Sequence, residues 1–263
     1  MHVKGKSGVS TKIVLEVRYK DGYVFLDKCG RTINKIIHDN PEWFPKGVDP
    51  TNAGLVSMQN RCSFNFSSLN YNFNLERPLG GDPLQASDFE IFCDQVQTVS
   101  SIVHDYLELK TFTRIGCRIW HFFEADSKEN AEKWLLDLGI CKLSPNVEQA
   151  FQSKITSASA VIVMTGSDRF YRLSLNTVER SAQIDLGSEI LSVRASSLSK
   201  DQDKFLLKQL ETKKRAIASP GFAVMIDTDA YQEDPAGVDP RDFVATSVTF
   251  IDQKLPLALT TKT

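Results

Sequence analysis

The sequence predicts an α+β protein made of two tandem ferredoxin-like modules, each a β-α-β-β-α-β unit on a mainly antiparallel sheet. Three patterns carry this expectation. Segments with period-two apolar spacing alternate with segments of helical period through the first half of the chain. Capping and breaker residues fall where the period changes. The second half nearly repeats this order without a low-complexity linker, so residues 1–125 and 126–263 read as two modules packed together.

The elements follow in order. Between Lys12 and Tyr19, the residues Ile13, Leu15, Val17 and Tyr19 alternate with more polar neighbours, as in a half-buried strand. Asp21-Gly22 opens a helix with a stripe of Leu26, Cys29, Ile33, Ile36 and Ile37, stopped by Asn40-Pro41. Leu55 to Phe66 and Leu69 to Glu76 then form an antiparallel hairpin across Ser67-Ser68. It turns Phe64, Phe66, Tyr71 and Phe73 inward and Asn65, Asn70, Asn72 and Asn74 to water. After the loop Arg77 to Pro83, Ser87-x-x-Glu90 reads as a capping box for a helix carrying Phe89, Phe92, Val96, Val99, Val103 and Tyr106.

The strand from Thr111 to Glu124 comes next. Period two puts Arg114, Gly116, Arg118, Trp120 and Phe122 on one face, with Ile115, Cys117, Ile119, His121 and Phe123 on the other.

In the second half, Asp126-x-x-Glu129 caps a helix with Ala131, Trp134, Leu135 and Leu138, ended by Gly139. Ser144-Pro145 starts a short helix. Ser159 to Thr165 and Phe170 to Asn176 pair across Gly166-Ser167-Asp168. One or two strands fall within 183–193, and an amphipathic helix runs from Leu198 to Ala216. Phe222 to Asp229 is a strand, and Asp239-Pro240 opens a last helix with Phe243, Val244, Val248 and Ile251 inward.

Composition excludes more than it assigns. The 263 residues are 41% hydrophobic and 24% charged, as in ordinary globular proteins, and a net charge of -2 gives no whole-molecule attraction to nucleic acid or anionic lipid. The N-terminal residues lack the apolar core of a signal peptide, and the longest apolar run, Ala160 to Met164, is too short to span a bilayer. Five dispersed cysteines without a C-x-x-C pair read as reduced thiols, so a cytoplasmic location is expected. No phosphate-binding glycine loop and no G-x-S-x-G elbow is present, and none of His2, His38, His104 or His121 has metal-ligand spacing. The balance leans away from catalysis, and no cofactor is implied.

Three places remain where chemistry is worth weighing. Arg114 and Arg118, with Trp120 beside them, read either as ties to buried carboxylates or as an anion-binding groove. The basic run Lys213-Lys214-Arg215 at a helix end adds a second cationic patch. Asp227-x-Asp229, at the end of an apolar strand, reads either as a paired strand face or as the start of a divalent-cation site.

The strand Arg114-Ile-Gly-Cys-Arg118 and the Asn40-Pro-Glu-Trp-Phe-Pro45 elbow resemble those of a family of uncharacterised, sporadically distributed bacterial proteins. Its members carry an R-I-G-L-R-Y-I-N-like central strand, then a late D-x-D strand and a terminal helix. Ile226 to Asp229 and 239–254 are similar to that late element. Where the family has Y-I-N this chain has Ile119-Trp120-His121. The resemblance implies architecture and brings no activity with it.

The leading expectation is a non-catalytic binding or regulatory protein that engages a protein partner, within a bacterial defence or toxin–antitoxin cassette, with homo-oligomers also open and no membrane association. One alternative is a nucleic-acid or nucleotide binder using Arg114, Arg118 and Lys213, Lys214 and Arg215. Another is a metal-dependent phosphoesterase centred on Asp227 and Asp229.

Overall fold

A computed structural model describes residues 2–3, 6–77, 82–140, 146–180 and 221–259. The strands expected within 183–193, the helix from Leu198 to Ala216, and Cys141, Ser144 and Pro145 lie outside these residues.

In chain order the described elements are β1 (His2–Val3), β2 (Lys6–Tyr19), α1 (Val24–Asp39), β3 (Trp43–Val48), β4 (Asn52–Ser57), β5 (Cys62–Ser67), β6 (Asn70–Glu76), α2 (Ala86–Tyr106), β7 (Phe112–Ala125), α3 (Lys128–Asp137), α4 (Asn146–Phe151), β8 (Ala160–Thr165), β9 (Phe170–Arg180), β10 (Gly221–Glu233) and α5 (Pro240–Ala258).

Two separate module sheets were the expectation; one sheet is found. It hydrogen-bonds in the order β3-β4-β5-β6-β2-β7-β10-β9-β8, with β1 against the start of β2. Every pairing among the described residues is antiparallel. The boundary expected after residue 125 is crossed by the long β7–β10 ladder, which runs from Ala125 against Phe222 to Arg114 against Glu233. Joining the halves edge to edge removes two exposed strand edges and buries one continuous core.

The described helices with buried side chains sit on one face. Phe25 of α1 meets Phe66 edge-on, Phe92 of α2 meets Phe73, Trp134 of α3 meets Phe123, and Phe250 of α5 stacks on Tyr171. The strand residues in these contacts share one side of the pleat with Ile13, Leu15, Ile119 and Ile226, all fully buried. Phe64 is the centre of an aromatic cluster, 4.5 Å from Phe73 and 5.4 Å from Phe66 between ring centroids. A bulge between Ser10 and Lys12 keeps β2 in phase, so that Gly8 and Ser10 precede it on the core face and Ile13 follows.

Several boundaries differ from the sequence reading. The stretch from Leu55 to Phe66 is two strands, broken at a turn where Arg61 adopts φ 52°. The Asn40–Pro45 elbow contains an edge strand, β3, because a proline is tolerated where its missing N–H faces away from the ladder. Helix α2 starts earlier than Ser87: Asp88, held by Arg77, accepts from the Gln85 N–H at 2.8 Å, so the capping box lies two residues upstream. Ser127, one residue after Asp126, caps α3 by accepting from Asn130 N–H at 3.1 Å. The cap on α5 falls where expected, with Asp239 accepting from Asp242 N–H at 3.0 Å.

Cys62, Cys93 and Cys117 are buried free thiols and Cys29 a half-buried one. Among the described residues no helix is long and apolar enough to cross a membrane.

Candidate functional site

The opposite face of the sheet carries no helix with a buried side chain among the described residues. On β5 and β6 it presents asparagines, with Asn65 Nδ2 donating to Asn72 Oδ1 at 3.2 Å. Towards β2, β7 and β10 it becomes charged. There Glu16, Arg18, Arg114, Gly116, Arg118, Arg172, Ser174, Asp227 and Asp229 line a shallow hollow of about 260 Å³.

The register explains how the charges meet. On β10, Asp227 lies opposite Trp120 and Asp229 opposite Arg118. Arg118 therefore leans along β7 to its diagonal neighbour. Its Nε donates to Asp227 Oδ1 at 2.6 Å, and Nη2 donates to the other carboxylate oxygen, a bidentate fork. The Asp227 side chain is only 7% exposed beneath an Arg118 that is 48% exposed. Pairing with Asp227 holds the Arg118 guanidinium pKa above its ordinary value.

Arg114 reaches further. It runs over Gly116 to donate from Nη2 to Asp229 Oδ2 at 2.8 Å, with Glu16 at 3.6 Å and Glu233 at 3.8 Å. The absence of a side chain at Gly116 leaves this path uncrowded. A Cβ there would stand 3.3 Å from Asp229 Oδ1 and 3.5 Å from Arg114 Nη2. The Arg114 guanidinium also lies 4.5 Å from the Tyr231 ring centre. Burial pushes the Asp229 carboxyl above its ordinary value, and Arg114 opposes that shift.

Trp120 lies between two cations, with Lys12 Nζ 4.3 Å and the Arg118 guanidinium 5.6 Å from its ring. Its indole N–H is buried without a hydrogen-bond partner among the described residues. Lys12 is anchored by Glu76 at 2.8 Å.

Four guanidiniums thus face three carboxylates in the hollow. Arg18 is paired with Glu16, Arg114 with Asp229 and Arg118 with Asp227. Arg172, exposed on β9 opposite Asp229, has no ion pair among the described residues. The surplus charge of the hollow is therefore at Arg172.

The structure brings together Arg114, Arg118, Trp120, Asp227 and Asp229 from the sequence reading. Lys213, Lys214 and Arg215 lie outside the described residues. Both aspartates are engaged by guanidiniums, and among the described residues no group of three His, Cys, Asp or Glu is placed to hold a metal ion. Sequence reasoning missed Glu16, Arg18 and Arg172. Their signal was parity: each is the polar member of an alternating strand, as Arg114 and Arg118 are.

His121, on the core face, is buried with neither ring nitrogen hydrogen-bonded among the described residues, and Asp252 of α5 is its nearest carboxylate at 3.6 Å. No protein-family model matches the chain, and no curated protein sequence matches it.

Proposed function

We propose that this chain is a non-catalytic binding or regulatory protein that holds a protein partner against the sheet face that the described helices leave open. The observation that carries the proposal is the one-sidedness of the sheet. A wide polar and aromatic-flanked surface, backed by a rigid core, is left uncovered by the described helices.

The charge pattern favours a protein over a nucleic acid. Arg114 and Arg118 already fork carboxylates, and three acids in the hollow oppose a phosphate backbone. The same pairing speaks against a phosphoesterase at Asp227 and Asp229, because a cation there would have to displace two guanidiniums.

Within the large sheet, the order β7-β2-β6-β5 supports reading residues 1–125 as a ferredoxin-like unit extended by β3 and β4. The free thiols support a reducing, cytoplasmic setting. The resemblance to a sporadically distributed bacterial family supports an accessory cassette, of the defence or toxin–antitoxin kind.

The test is affinity purification of the tagged chain from its source cells, quantified by mass spectrometry. A stoichiometric protein should co-purify with the wild type and be lost with Asn72→Lys plus Asn176→Lys, which flank the hollow. It should be retained with Leu26→Lys plus Leu257→Lys, which are exposed on the helices. Absence of any stoichiometric protein overturns the proposal.

A further inference from the structure

The two ends of the sheet are finished differently. At one end, β3 carries Pro45 and Lys46, and its register with β4 shifts between Pro45 and Gly47. A proline, a lysine and an irregularity are the devices that keep an edge strand from recruiting another strand.

At the other end, β8 reads Ala-Val-Ile-Val-Met-Thr, without a charge, a proline, a glycine or a bulge. Its outer side is unpaired among the described residues. Val161 and Val163 are 57% and 61% exposed.

The ladder shows which backbone groups this edge offers. Gly166 N–H donates to Arg169 O at 2.8 Å, closing the β8–β9 hairpin with a hydrogen-bonded pair. Antiparallel pairs alternate, so Ile162 and Met164 direct their backbone groups towards β9, while Val161, Val163 and Thr165 direct theirs outward. The side chains of these three residues lie on the face of the hollow, and Val163 is opposite Arg172.

We propose that β8 is a strand-addition site for an extended peptide segment that carries one acidic residue among β-branched ones. This rests on the reading of the chain as a protein-binding module and names the form of the partner. An antiparallel strand added to β8 places one residue opposite Val163, on the same face as Arg172. Strands lie about 4.8 Å apart, so that residue and Arg172 are separated by a single valine side chain. A carboxylate there reaches over Val163 to the guanidinium that has no ion pair among the described residues. The neighbouring positions of the added strand meet Val161 on one face and Ile162 and Met164 on the other, which favours apolar side chains. Main-chain hydrogen bonds supply affinity and Arg172 supplies the charge preference.

The test is fluorescence anisotropy of the full chain with a labelled peptide, KTVIEVITK, and counterparts with Gln or Lys in place of its Glu. The Glu peptide should bind at least tenfold more tightly than the Lys peptide. Val163→Pro removes an outward N–H and no ladder bond, so it should abolish binding while the melting temperature stays near wild type. Should that variant fail to fold, Arg172→Glu, at an exposed side chain, should invert the preference towards the Lys peptide.

Equal affinity for the three peptides, or a preference unchanged in Arg172→Glu, overturns the proposal. A concentration-dependent dimer in sedimentation velocity, abolished by Val163→Pro with no peptide binding, assigns the edge to a second copy instead. If the peptides fail while Asn72→Lys plus Asn176→Lys still loses a stoichiometric partner, the strand-addition site falls and the binding face stands.

Discussion

Arg118 and Asp227 form an ion pair with unequal members, and the two truncations should differ accordingly. Arg118→Ala strips the fork from a carboxylate whose side chain is 7% exposed. Removing one partner of a fully buried pair costs about 3–5 kcal/mol. Here the guanidinium is itself 48% exposed, and its loss opens a path for water, so the cost is set at about 2 kcal/mol.

Asp227→Ala instead leaves a half-exposed guanidinium that water solvates, and costs about 1 kcal/mol or less. Once Asp227 is gone, truncating Arg118 adds little, so the double variant should resemble Asp227→Ala alone. For a chain of this length about 1 kcal/mol corresponds to roughly 2–4 °C. Arg118→Ala should therefore lower the melting temperature by about 4–8 °C and Asp227→Ala by no more than about 4 °C. Urea titration followed by circular dichroism, run beside thermal melting, gives all three values. Additive costs, or an Asp227→Ala variant that is the less stable of the two, would refute the reasoning.

His104, beneath the sheet and 2.7 Å from the Tyr71 hydroxyl, is held neutral by burial, which lowers its pKa to about 4. The unfolded chain takes up this proton first, near pH 6.5, so the stability the neutral ring contributes is complete above that pH. It falls away as the pH drops towards 4, by roughly 3 kcal/mol, and His104→Gln should remove that limb from a plot of melting temperature against pH. Gly116→Val inserts carbon between Arg114 and Asp229 and should cost about 1–3 kcal/mol by urea titration. Gly30→Ala, within α1 where an added Cβ meets nothing within 4 Å, should stabilise by about 0.5–1 kcal/mol in the same assay.

Much of the local structure was legible because it is written in local periods. The face assignment of β7 followed from alternation alone, as did the inward aromatics and outward asparagines of β5 and β6. The cap of α5 was read from Asp239-Pro240. What the sequence did not disclose is non-local. Arg118 and Asp227 are 109 positions apart, and nothing in either segment states that β7 pairs with β10 or in which register. The arginine pair and the D-x-D pair were therefore weighed as two separate sites, although they are one ion-pair lattice. For the same reason a single sheet was read as two, since edge-to-edge joining leaves the period of each strand unchanged. β3 was missed because its proline, Pro45, is a loop signal everywhere except at a sheet edge.

The central claim is that the sheet face left open by the described helices is the binding surface, and hydroxyl-radical footprinting of the complex tests it most directly. Trp120, Met225 and Tyr231 report on the face of the hollow, while Tyr23 and Leu257 report on the helix side. The account predicts that partner binding lowers oxidation at Trp120, Met225 and Tyr231 and leaves Tyr23 and Leu257 unchanged. Protection at Tyr23 and Leu257, with Trp120 and Met225 oxidised as in the free chain, would contradict it.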